Sequence, residues 1–235
     1  MGKISDEPRR RFELALRPAE PPTVEEVLEQ VSRHGVLRGP VDWVFPAWIA
    51  YVEYATRRIA QTFPLADEER RQLLGFGDVM KDVLRKAHEQ AKAKLTSIHN
   101  AINSNNYRLE EGKLHAPDGA WMYMSEVPHI AIEGIDAVAY FPDVMNLSRV
   151  KLELFQLGWE VHEEEEDGRP AYATANPALF MAWAAARFGE LHVAVTRVFL
   201  LKDGAAVEVK ATAKSWKRQS RREAEKLVYS WYGPP

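Results

Sequence analysis

Leu191 to Lys214 reads LHVAVTRVFLLKDGAAVEVKATAK. Leu191, Val193, Val195 and Val198 alternate with His192, Ala194 and Arg197. After Lys202-Asp203-Gly204, Val207, Val209, Ala211 and Ala213 alternate with Glu208, Lys210, Thr212 and Lys214. Side chains on a strand point to opposite faces with a period of two, so each run has an apolar and a polar face. Asp-Gly between two such runs is a strong hairpin signal. The stretch predicts a β-hairpin with one face buried, and helices packed on the sheet are the expected cover.

Upstream the pattern alternates between strand and helix. Asn176-Pro177 opens a helix carrying Leu179, Phe180, Trp183, Ala184 and Phe188, and Gly189 ends it. Tyr172 to Ala175 reads as a strand, as does the start Trp159-Glu160-Val161. Between them the acids from Glu163 to Asp167, followed by Gly168, read as a solvated loop. Ser148 or Asn146 caps a helix through Leu157. Ile130 to Phe141 reads as a strand kinked at Gly134, Trp121 to Met124 as another, and Tyr107-Arg108-Leu109 with Lys113-Leu114-His115 as a hairpin turning through Glu110-Glu111-Gly112.

Before residue 106 the period changes to that of helices. Helices are expected at about 6–17, after Thr23, at about 42–63, and from Asp67 to Asn105 with a bend or break at Gly75-Phe76-Gly77. The third carries Trp43, Trp48, Tyr51, Val52, Ala55 and Ile59 and reads as a core helix. In the fourth, Met80, Leu84, Ala87, Ala91, Leu95, Ile98 and Ile102 form a seam suited to a bundle or to a pair between chains. Lys81, Arg85, Lys86, Lys92 and Lys94 line the opposite face. The fold class is therefore α+β: a helical region over residues 1–105, then an α+β region of mainly antiparallel sheet with packed helices over 106–235.

Composition removes several function classes. The 235 residues include no Cys, which excludes disulfide scaffolds, iron–sulfur clusters, thiolate zinc sites and a cysteine nucleophile. With 31 basic and 34 acidic residues the formal charge is -3, so a globally basic nucleic-acid coat is excluded but a local basic patch is not. Met1 to Asp6 runs straight into charge and no long stretch is free of it, so a cytoplasmic protein with no membrane partner is expected.

No phosphate-binding loop, dinucleotide glycine fingerprint, His-Glu-x-x-His or Gly-x-Ser-x-Gly stands in the chain. His88 and His99 are eleven residues apart on one helix, about 16 Å, too far to share a metal. Glu133, Asp136 and Asp143 are the acids available for metal-dependent phosphodiester chemistry, with turn and cap roles as the competing reading. No cofactor, metal ligand or catalytic residue is assigned. The patch that stands out is Lys210, Lys214, Trp216, Lys217, Arg218, Arg221, Arg222 and Lys226. Lys and Arg neutralise phosphates with release of counterions, and a Trp among them can stack on a base. Arg218 and Arg222 are one helical turn apart, so both can line one face, and a last helix is expected from about Ser220 to Tyr232.

Leu157-Gly158-Trp159, Gly168-Arg169-Pro170, Met181 to Ala185, Gly189 to Val193 and Ala213 to Lys217 together resemble the Pyrobaculum aerophilum repeat proteins of type two, an expanded family of hyperthermophilic archaea. The likeness covers about residues 130–230. It implies an archaeal, thermophilic origin, which the lack of Cys suits. Some longer members continue into a region similar to homing-endonuclease-like DNA-binding folds, and this sequence carries no such continuation. The resemblance therefore implies a role beside nucleic acid and transfers no catalytic residue.

The leading expectation is a non-catalytic protein that binds the phosphate backbone of DNA or RNA through the C-terminal basic patch. The alternatives are an assembly subunit of an oligomer, filament or virion that pairs through the helix after Gly77, and a metal-dependent nuclease relative.

Overall fold

A computed structural model describes residues 6–214. In chain order its elements are α1 (Asp6–Leu16), α2 (Val24–His34), α3 (Val41–Thr62), α4 (Asp67–Asn103), β1 (Arg108–Glu110), β2 (Lys113–His115), β3 (Trp121–Tyr123), β4 (His129–Ala131), β5 (Asp136–Phe141), α5 (Arg149–Leu157), β6 (Glu164–Glu166), β7 (Arg169–Thr174), α6 (Pro177–Arg187), β8 (Gly189–Leu201) and β9 (Gly204–Ala213). The class is α+β, with the helices mainly N-terminal and every strand pair among the described residues antiparallel. The sheet runs β1-β2-β3-β4-β8-β9-β7-β6, and β5 pairs with β8 in line with β4. The strand expected from Ile130 to Phe141 is thus interrupted, with Gly134 at φ 70° in the break.

The β8–β9 hairpin sets the two faces. Leu191, Val193, Val195, Val198 and Leu200 point inward beside Ala213, Ala211, Val209, Val207 and Ala205, and all are buried. A bulge between Val195 and Arg197 keeps this alternation aligned. Helices α1, α3, α4 and α6 cover the inner face, and helix and sheet residues form one hydrophobic core. A latch ties the two regions. Gly39 and Ala205 exchange backbone hydrogen bonds of 3.2 and 2.8 Å, and Gly204 sits at φ 140° where an added Cβ would lie 2.9 Å from Gly39 backbone. Only glycine tolerates both that dihedral and that approach.

Local sequence chemistry explains the caps. Thr23 and Glu26 form a capping box, with the Glu26 amide donating to Thr23 Oγ1 and the Thr23 amide to Glu26 Oε2. Asn176 Oδ1 accepts from the amides of Ala178 and Leu179. Glu111 and Gly112 have φ of 49° and 75°, the left-handed pair that a two-residue hairpin turn requires.

Three expectations are corrected. Helix α4 runs unbroken through Gly75-Phe76-Gly77. Gly77 packs on Thr56 of α3, and Phe76 is buried edge-on to Phe141, so tertiary contact outweighs the glycine cost. The seam from Met80 to Ile102 is wholly buried inside this chain, so it is not available for pairing between chains. Trp159-Glu160-Val161 is a turn, with the amides of His162 and Glu163 both donating to Trp159 carbonyl, rather than a strand. Trp159 packs edge-on to Tyr172 instead.

The acidic run is corrected too. Glu164–Glu166 is an exposed strand, and the side chain of Glu163 is buried. Arg187 donates Nε to Glu163 Oε1 at 2.7 Å and a terminal nitrogen to Oε2 at 2.6 Å, and Trp183 Nε1 donates to Oε1 at 2.8 Å. This fork fastens the chain before β6 to the end of α6. Removing one member of a buried pair leaves an uncompensated charge, at a cost of about 3–5 kcal/mol. Glu163→Ala is expected to lower unfolding stability by that order in urea titration, whereas Glu164→Ala, on the exposed strand, should change it by less than about 0.5 kcal/mol.

Candidate nucleic-acid interface

The outer face of the sheet is the broad surface over which no described helix lies. It carries Arg108 and Glu110 on β1, Lys113 and His115 on β2, Trp121 and Tyr123 on β3, and His129 and Ala131 on β4. Asp136, Val138 and Tyr140 follow on β5, opposite Ala194, His192 and Glu190 of β8. Further along, Arg197 faces Glu208, Phe199 faces Ala206, and Lys210 and Thr212 face Ala173 and Ala171 of β7.

Four rings form a row across three strands. Trp121 meets Tyr123 edge-on at 4.9 Å between centroids, Tyr123 stacks on His129 at 4.7 Å, and His129 lies tilted against Phe199 at 5.3 Å. The register produces this row, because Tyr123 is paired with His129 and His129 with Phe199. All four rings are half-buried. Lys113 Nζ stands 4.7 Å from the Trp121 ring and 5.3 Å from Tyr123, a cation–π contact. Among the described residues Lys113 enters no ion pair. His129 Nδ1 lies 3.1 Å from the carbonyl of Val127, which orients the imidazole within the row.

The two described members of the basic patch, Lys210 and Lys214, lie at the other side of this face, and each meets an acid. Lys210 Nζ is 3.2 Å from Glu166 and Lys214 Nζ 4.0 Å from Glu190. Thr212 Oγ1 donates to Glu166 Oε2 at 2.6 Å. That hydroxyl holds the Glu166 carboxyl below its ordinary value; burial pushes it up, and Lys210 helps lower it. Trp216, Lys217, Arg218, Arg221, Arg222 and Lys226, with the helix expected at 220–232, lie outside the described residues.

The other candidates are dispersed. Asp136 pairs with His192 on the outer face, Asp143 Oδ1 accepts the Asn146 amide, and Glu133 lies near Lys94. No group of three His, Asp or Glu among the described residues is placed to hold a metal ion. On α4, Lys81 pairs with Asp78, Lys86 with Asp82, and Lys92 with Asp42, which also takes His88 at 2.9 Å. Burial would raise the Asp42 carboxyl, but hydrogen bonds from Lys92 and His88 outweigh it and hold it below the usual range. The basic side of α4 is thus largely neutralised.

The ring row escaped sequence reading. Trp121 and Tyr123 stand at strand spacing, which was a usable signal, but His129 and Phe199 join them only through register. No helix among the described residues is long and apolar enough to cross a membrane. No known family model, curated protein or solved structure matches this chain.

A depressed carboxylate contributes stability above its ordinary pKa and loses it as pH falls through the lowered folded value. In a carbon-detected NMR titration, Glu166 should therefore titrate below an ordinary Glu. Thr212→Val should move its midpoint upward, and an unmoved midpoint would show that the hydroxyl is not the cause.

Proposed function

We propose that this is a non-catalytic, cytoplasmic nucleic-acid-associated protein. It holds phosphate backbone across the outer face of its sheet and the basic stretch that follows β9. The observation that carries this reading is Lys113, a cation with no carboxylate partner among the described residues, seated on a row of rings on the face that no described helix covers. Arg108 stands on the neighbouring strand β1 in an exposed pair with Glu110, and Arg197 lies further along the face on β8, 3.6 Å from the half-buried Glu208. An exposed pair such as Arg108–Glu110 is worth only about 0–1 kcal/mol, so a polyphosphate can displace its acid. Lys210 and Lys214 lead along the sequence into Trp216, Lys217, Arg218, Arg221, Arg222 and Lys226, which add the phosphate contacts. The separate engagements of Glu133, Asp136 and Asp143 favour binding over metal-dependent cleavage.

One observation favours the second reading, an assembly subunit. The outer edge of β5 has no described backbone partner and displays Val138 and Tyr140 at 48% and 49% exposure. The other sheet edges, β1 and β6, are three-residue strands rich in charge, the usual protection against edge pairing.

Binding of labelled DNA and RNA across a salt series tests the first reading. Log affinity should fall linearly with log salt, and Lys113→Ala should reduce the slope by about one, with Arg218→Ala/Arg222→Ala reducing it by about two. Absence of binding at low salt would overturn it. Light scattering on the same samples tests the second: a particle heavier than one chain without nucleic acid supports it, and a monomer rejects it.

A further inference from the structure

We infer that the row Trp121, Tyr123, His129 and Phe199 is a stacking site for unpaired bases, which makes single-stranded nucleic acid the ligand class; the inference rests on the nucleic-acid reading above. Three observations carry it. The rings lie on a sheet face that no described helix covers, and they are half-buried, so the protein holds their orientation while leaving part of each exposed. Tyr123 and His129 already stack on each other, 28° from parallel, so a base extends the row at its ends. Trp121 and Phe199 are those ends, on β3 and β8 with β4 between, roughly 10 Å apart across the strands. The third observation is charge. Lys113 lies over the Trp121 end, where a phosphate linked to a base stacked on that ring meets an ammonium not spent on a carboxylate.

Duplex does not suit this arrangement. Its base faces are covered by their neighbours, and exposing one costs a few kcal/mol of unstacking and unpairing. A single strand presents its faces freely, and stacking on aromatic side chains tolerates any base because every base has a π face. The half of the face that bears the rings also has the more favourable charge. Arg108, Lys113 and Arg197 stand there against Glu110 and Glu208, whereas Lys210, Lys214 and Arg169 face Asp136, Glu164, Glu166 and Glu190 on the other half.

The test is fluorescence anisotropy of the full chain with labelled oligo-dT, oligo-U and a DNA duplex of equal length. Both single strands should bind at least about fivefold more tightly than the duplex, and the ratio of dT to U then states which backbone is preferred. Trp121→Ala and Phe199→Ala should each weaken single-strand binding by about five- to a hundredfold while the salt slope stays unchanged. Trp121→Phe should retain most of the affinity. Phe199→Leu keeps an apolar side chain without a ring, so it should weaken binding as Ala does, with an unchanged circular dichroism spectrum to separate stacking from folding. Equal affinity for duplex, or ring variants that bind like the parent, would overturn the stacking site while salt-dependent binding left the broader reading standing. No binding to any of the three at low salt would remove both.

Discussion

Burial of one face of the β8–β9 hairpin organises everything else in this fold. Ten alternating residues, from Leu191 to Leu200 on one strand and Ala205 to Ala213 on the other, have almost no exposed surface. Each large aliphatic side chain among them gains about 1.5–3 kcal/mol by leaving water, so the hairpin cannot stand alone and must recruit cover. Helices α3 and α4 supply it with Phe45, Trp48, Leu84, Leu95 and Ile98, all fully buried. The approach of Gly39 to Gly204 then sets how closely the chain ahead of α3 can meet the hairpin turn. A consequence of the same alternation is that the opposite face carries polar, aromatic and charged side chains, and no helix among the described residues lies over it. The candidate interface is the reverse side of the core.

Charge follows burial in a consistent way. Where a carboxylate is taken out of water, as at Glu163, it receives a bidentate guanidinium and an indole donor. On the outer face the pairs are looser and wetter, as with Lys214 and Glu190 or Arg197 and Glu208. The first kind is structural and resists exchange. The second kind is exchangeable, because water and salt screen it and a phosphate can replace the acid at little cost. A chain with a slightly negative total charge can therefore still bind a polyanion, provided that the cations are arranged where the acids give way.

Much of this was readable from local patterns. The hairpin, the Thr23 and Asn176 caps, a turn within Glu110-Glu111-Gly112 and the core character of the Trp48 helix follow from periods of two or 3.6 and from side chains that bond their own backbone. Readings that failed were those in which a distant partner decided the outcome. Gly75 and Gly77 look like breakers until Thr56 is packed on Gly77. Five consecutive acids look solvated until Arg187, twenty-four residues beyond Glu163, closes on the first of them. The α4 seam suits a bundle or a second chain equally in sequence, and the cover from the sheet and α3 decides for packing within the chain.

The site divides along the same line. Residue type alone marks the basic run from Lys210 to Lys226 and the missing catalytic motifs, because charge and compact motifs are properties of neighbouring letters. The row of rings belongs to no stretch of sequence. Tyr123, His129 and Phe199 lie on three strands, and only the antiparallel register brings their side chains onto one face at stacking distance. A one-residue slip would turn each of them to the other side, so the interface depends on the same pairing that buries the core.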